Sequence, residues 1–274
     1  MSNVHGIGGS LKILMLHGYT QSGASFRAKT RALEKHVQKA FPGSTFSYPT
    51  GPLRLRPSDV PGYDPSSPSD DDDDLEAYGW WRRSDSSDPV EYVGLEDGLA
   101  TVARTLASEG PFDGVAGFSQ GAALAAMISS LLEAGPRSDA FATLHTASTS
   151  SIPFPQSFQS IGHPPLRFCV IYSGFIAPGQ RYRAFYEPSI STVSCHFIGS
   201  LDNVVEESRS QALIEAFGGE AKSKIVYHPG GHFLPSSKTF LDVLTGFIKG
   251  TVQESLASEK PKQEERVEDM NMPF

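Results

Sequence analysis

Gly117-Phe118-Ser119-Gln120-Gly121 is a G-x-S-x-G string. A serine hydroxyl becomes a nucleophile only when a base takes its proton and nearby donors receive the charge that develops on the attacked carbonyl. Composition alone supplies about 0.3 such strings in a chain this long, so the string by itself is weak. Its context carries more. The run DGVAGF precedes the serine and the run AALAAMISSLL follows it, which gives the strand, sharp turn and helix of a nucleophile elbow. Gly117 and Gly121 permit that turn, and the free N–H groups at the helix start point toward the reacting oxygen. An ordinary strand–helix turn is the plain alternative.

In a sheet fold of this kind the partners follow in the order serine, acid, histidine. Only His228 and His232 follow a late strand. His232 reads as the base, with His228 as the strand's last residue in a structural role. Two histidines four apart would suit a metal on one helix face, but Pro229, Gly230 and Gly231 exclude the helix, so no metal is expected. Asp202 sits in the loop after the strand at 193–198, where such folds present ligand-facing groups, and reads as the acid. Asp113 precedes the serine's strand and Asp242 lies within a helix. Capping of the next helix is the plain alternative for Asp202. One oxyanion donor is expected from the loop at 16–20 (LHGYT) and the second from the N–H of Gln120. His17 reads as a structural hydrogen-bonder. The glycines at 6, 8 and 9 precede a strand instead of following one, so no nicotinamide or flavin cofactor is expected.

These residues need elements to hold them. Apolar runs at 11–16, 44–48, 114–118, 166–172, 193–198 and 224–228 read as strands. Helical periods fall at 26–41, 95–106, 122–132, 205–217 and 239–248. The alternation predicts an α/β fold with a mainly parallel sheet covered on both faces. Residues 11–250 form the expected domain, interrupted at 52–76 by a proline-rich, acidic stretch that reads as a solvated insertion. Residues 135–165 read as a lid or a surface loop, and 251–274 as a charged tail.

The formal charge is −8, and the five aspartates at 70–74 together with residues 252–274 carry that surplus between them. No basic excess exists to neutralise phosphates, so nucleic acid is not an expected partner. Cys169 and Cys195 lie in apolar runs and read as buried, reduced thiols. No apolar run is long enough to span a membrane and the first residues lack a signal-peptide pattern, which suggests a cytoplasmic protein.

Six segments taken in order resemble the FSH family of serine hydrolases, an α/β-hydrolase family: LHGYTQSG, GWW, GLEDGL, GPFDGVAGFSQGAALAA, SGF and HPGGHFLP. The resemblance spans residues 12–248. It implies a Ser119–Asp202–His232 triad, oxyanion donors near Tyr19 and at Gln120, and no cofactor. It also implies an ester or acyl thioester substrate, free or bound to a carrier protein. Polyketide-releasing thioesterase activity and a non-catalytic hydrolase-fold binding protein are the rival readings. Trp80 and Trp81 either pack as core or line an acyl pocket, with Phe175 and Phe233 as further wall residues. Arg82 and Arg83 read as a solvated pair, with carboxylate binding as the alternative.

Overall fold

The computed structural model describes residues 9–60, 76–84, 86–87, 90–133, 135–148 and 150–258. Six strands form one sheet: β1 (Lys12–Leu16), β2 (Thr45–Ser47), β7 (Gly114–Phe118), β8 (Phe168–Tyr172), β9 (Val193–Gly199) and β10 (Ser223–His228). Their order across the sheet is β10-β9-β8-β7-β1-β2, and every pair is parallel. The predicted α/β class and covered parallel sheet are what the chain forms.

Alternation along the inner strands explains why they read as nearly unbroken apolar runs. Leu14 and Leu16 enter one core while Ile13 and Met15 enter the other, and Cys169 and Ile171 oppose Phe168, Val170 and Tyr172 in the same way. On the first face pack α3 (Leu95–Glu109), α4 (Gln120–Leu131), α5 (Pro136–Ala147) and α6 (Glu207–Ala216). On the second pack α1 (Gly23–Lys29), α2 (Arg31–Ala40) and α7 (Lys238–Ser258). Every residue of α4 is buried, which suits a helix built of alanine and leucine with no polar face.

Parallel strands deliver all their carboxyl ends to one edge. The chain runs from β1 out to β2 and then returns past β1 to β7, so the order reverses between β1 and β7. Loops on either side of such a switch part and leave a crevice. Two antiparallel pairs, β3 (Leu53–Arg54) with β4 (Tyr78–Gly79) and β5 (Arg82–Ser84) with β6 (Glu91–Val93), stand beside it.

Three expectations change. Residues 135–165 are not a structureless excursion: α5 occupies its first part, and Phe141 and Phe158 are buried in the core. Its Ser and Thr content hides the helical period. The last helix continues through residues 251–258, which the reading of the tail included, and Val252 packs in the second core. Within 52–76, Leu53 and Arg54 pair as a strand and Leu55 is buried, so this part is built into the domain. Residues 61–75, with the aspartate run, and residues 259–274 lie outside the described residues. Cys169 and Cys195 are free and buried, and desolvation pushes both thiols up to about 12, which leaves them unreactive. Among the described residues no helix is long and apolar enough to cross a membrane.

Candidate active site

Ser119 closes β7 and precedes α4 at φ 53° and ψ −116°. An L-residue holds such a conformation only when its surroundings over-determine it. They do so here. A Cβ on Gly117 would meet the Gly121 carbonyl oxygen at 2.2 Å, and one on Gly121 would meet the Leu16 and His17 carbonyl oxygens at 2.2 and 2.4 Å. The two glycines let the elbow fold on itself and press against the end of β1.

His232 lies on the loop that leaves β10, and its Nε2 is 2.9 Å from Ser119 Oγ. Its Nδ1 is 2.8 Å from Asp202 Oδ2. The other carboxylate oxygen of Asp202 accepts the N–H groups of Val204 and Val205 at 2.9 and 3.0 Å. Burial opposes ionisation of this carboxyl. The Val205 N–H, the His232 ring and the Val204 N–H outweigh it and hold the pKa below the usual carboxylate value. An ionised Asp202 requires the proton on His232 Nδ1, which leaves Nε2 as the acceptor for the serine hydroxyl. Asp202 does not cap α6, whose N-cap is Glu206. Serine, ring and carboxylate thus form one unbroken line.

His17 is differently committed. Its Nε2 accepts the Gly51 N–H at 2.8 Å, so its Nδ1 carries the proton and donates to the Gly18 carbonyl at 2.8 Å. Burial lowers its pKa to about 4, only partly offset by that carbonyl. Both ring nitrogens are spent on the backbone, in keeping with the structural role read for it. His228 ends β10, buried against Phe233 and Phe240.

A cleft of about 350 Å³ opens at Ser119, lined by Tyr19, Trp81, Tyr92 and Phe175 among others. Both tryptophans are buried in the core, and Trp81 also reaches the cleft. Trp80 is wholly buried, stacked on His17 with its indole N–H donating to the His17 carbonyl at 2.8 Å. Trp81 forms the cleft wall. Gln120 holds this segment: its Oε1 accepts the Trp80 N–H at 2.8 Å and its Nε2 donates to the Trp81 carbonyl at 2.9 Å. Phe233 lies off the cleft, 50% exposed, with its ring against His228 instead of the acyl wall expected of it. As the first residue of α4, Gln120 has an N–H with no intrahelical acceptor, and Tyr19 lines the cleft from the β1 loop.

Tyr92, Val204, Val205 and Arg209 complete the wall, and the sequence reading missed all four. Tyr92 is sandwiched between Trp81 at 4.9 Å and Tyr182 at 4.8 Å. Beyond it lies a second hollow of about 700 Å³, lined in part by Leu95, Ile152, Phe154 and Tyr182. The stretch that read as a lid helps wall that neighbouring hollow. The available signal for Arg209 was topological, since the helix after the acid loop starts at the carboxyl edge of the sheet. Arg82 is not simply solvated: its Nη2 reaches Asp59 Oδ2 at 2.7 Å, and both Arg82 and Arg83 line the cleft.

The sequence profile of the serine hydrolase (FSH1) family matches residues 7–244. Esterase OVCA2 of Danio rerio is 32% identical over 247 residues, covering 87% of this chain and 96% of that protein. Family of serine hydrolases 3 of Saccharomyces cerevisiae is 32% identical over 252 residues, covering 87% and 84% respectively. Acyl-protein thioesterase 2 of Zea mays shares the fold, with a TM-score of 0.56 at 21% identity over 89% of this chain and 95% of that one.

Proposed function

This chain belongs to the serine hydrolase (FSH1) family and is a hydrolase of the esterase class, and from that premise we propose that Ser119, His232 and Asp202 are its nucleophile, base and orienting acid. The observation that carries the reading is the continuous hydrogen-bonded line from Ser119 Oγ through the His232 ring to Asp202. His232 takes the hydroxyl proton as Ser119 attacks the acyl carbonyl. The backbone N–H groups of Gln120 and Tyr19 receive the oxyanion, acting where charge develops in the transition state. His232⁺, stabilised by Asp202, then protonates the departing alcohol or thiol and an acyl-enzyme remains. Water enters, gives its proton to His232, and the acid is released as Ser119 regains its own.

Carboxylic esters are the substrate class favoured by the relatives named esterases. Thioesters pass through the same steps with a thiol leaving. A cleft of about 350 Å³ suits short and medium acyl groups, with Trp81, Tyr92 and Phe175 as its apolar surface.

Labelling with a fluorophosphonate probe and a chain-length series of nitrophenyl esters tests this. Wild-type protein is expected to label and to turn over short esters. Ser119→Ala is expected to lose labelling and about 10³-fold or more in kcat while keeping its melting temperature. Unchanged labelling or turnover in folded Ser119→Ala would overturn the assignment.

A further inference from the structure

The cleft at Ser119 is lined by three arginines, Arg82, Arg83 and Arg209, and among its described lining residues there is no Asp or Glu. That is an unusual concentration of cations on a chain whose formal charge is −8. Resting on the ester-hydrolase reading, we infer that the cleft selects esters or thioesters that themselves carry an anion, a carboxylate or a phosphate, and that Arg209 is its receptor.

Arg209 is singled out by how it is held. Its guanidinium lies over the Phe175 ring at 4.3 Å from the centroid. Stacking uses the face of the guanidinium and leaves the in-plane N–H donors along its edge for polar partners, of which the Tyr92 hydroxyl is one. That edge matches the fork of a carboxylate or phosphate. Tyr92, another cleft residue, stands close enough for Arg209 to oppose the burial that raises its phenol to about 12. Among the described residues no carboxylate forms an ion pair with Arg209, whereas Arg82 has Asp59, Arg167 has Asp113 and Arg181 has Glu91.

Arg82 lines the same cleft and supports the same site. One of its N–H groups is spent on Asp59, which does not line the cleft, while its buried Nε meets no acceptor among the described residues. A single small cleft therefore offers a nucleophile, an apolar wall and a preoriented cation. A neutral ester would use the first two and leave the cation idle.

Two sources of the anion are distinguishable. With nitrophenyl hemiglutarate the charge sits at the far end of the acyl group, and nitrophenyl valerate is its neutral counterpart. With butyryl coenzyme A the charge sits on the leaving group, and the butyryl N-acetylcysteamine thioester is its neutral counterpart. Wild type is expected to prefer the anionic member of one pair by kcat/KM, and added salt should narrow that preference. In Arg209→Gln the anionic-to-neutral ratio should fall about tenfold, and Arg209→Lys should restore part of it. Calorimetric titration of Ser119→Ala with monomethyl glutarate and with coenzyme A reads binding without turnover, and Arg209→Gln in that background should weaken the binding about tenfold.

Hydrolysis of neutral esters with a ratio that Arg209→Gln leaves unchanged overturns the anion receptor and leaves the hydrolase intact. Absence of all turnover in wild type counts against the hydrolase reading, and the titration then decides the receptor alone. Binding in that titration that is equal with and without the Arg209→Gln substitution overturns it.

Discussion

Asp202 uses its two oxygens for different ends. One orders its own loop by accepting the N–H groups of Val204 and Val205, and the other faces His232. Local ordering and orientation of the His232 ring are thus compatible in one carboxylate. Asp202→Asn separates them. The amide oxygen can still accept the two backbone N–H groups, but the amide nitrogen is a donor and cannot accept the His232 Nδ1 proton. The imidazole then favours the tautomer with the proton on Nε2, which faces Ser119 and cannot take its hydroxyl proton. A fall in kcat of about 10⁴-fold is expected, with little change in KM or melting temperature. Activity within tenfold of wild type would show that His232 is oriented by something else. At this scale the sequence singled out Ser119 because glycines flank it and His232 because it follows a strand end. It could not divide Trp80 from Trp81, since adjacent aromatics differ only in which side of one short segment they face. Arg209 escaped notice because a helical period identifies the apolar face and says nothing of what the polar face stacks on.

At the scale of elements, the fit of α3 to the loop that carries Trp81 is decisive. Gly98 lies in the first part of α3, and a Cβ there would stand 2.5 Å from the Trp80 carbonyl oxygen. Two effects oppose each other in Gly98→Ala. Helix propensity favours alanine by about 1 kcal/mol. The clash is with backbone, which Gln120 pins from its other side by taking the Trp80 N–H and donating to the Trp81 carbonyl, so it cannot swing away as a flexible side chain would. Overpacking of this kind costs about 1–3 kcal/mol, and the clash wins. Gly98→Ala is expected to lower the melting temperature and to reduce kcat/KM by displacing Trp81 from the cleft wall. A rise in melting temperature with full activity would mean that α3 has room to move. The same scale explains what was legible. The four inner strands stood out because burial on both faces makes them nearly continuous apolar runs, whereas the edge strands β2 and β10 are partly exposed. The strands β3 to β6 have two or three residues each, too few to carry a period, yet they bring Trp81, Arg82, Arg83 and Tyr92 to the cleft.

For the whole molecule, the parallel sheet that gathers the proposed active residues at one edge also buries histidines in the domain. Burial lowers His17 to about 4 and His196 to about 3, and it lowers His228 as well. In the unfolded chain these rings titrate near 6.5. Between that value and about 4 the unfolded state therefore binds protons that the folded state refuses, so stability rises with pH across this window and is lost as pH falls through it. His17 and His196 together account for nearly two protons at pH 5, a slope of roughly 2–3 kcal/mol per pH unit. An opposing effect exists. Acid also protonates exposed carboxylates and brings a chain of charge −8 toward neutrality, which eases self-repulsion. That repulsion is spread over the surface and screened by salt, whereas the buried rings are not, so the histidines dominate. Asp202 adds to the loss only at lower pH, because its depressed pKa gives stability that is present above the usual carboxylate value and disappears as pH falls through its folded one. Urea unfolding at pH 7, 6 and 5 in moderate salt should show stability falling steeply below pH 6.5. His17→Gln should reduce the slope by about one proton, whatever it does to the stability at pH 7. Stability that stays flat from pH 6.5 to 5 would mean that water or a conformational opening reaches these rings, and that the sheet is less closed around His17 and His196 than their burial indicates.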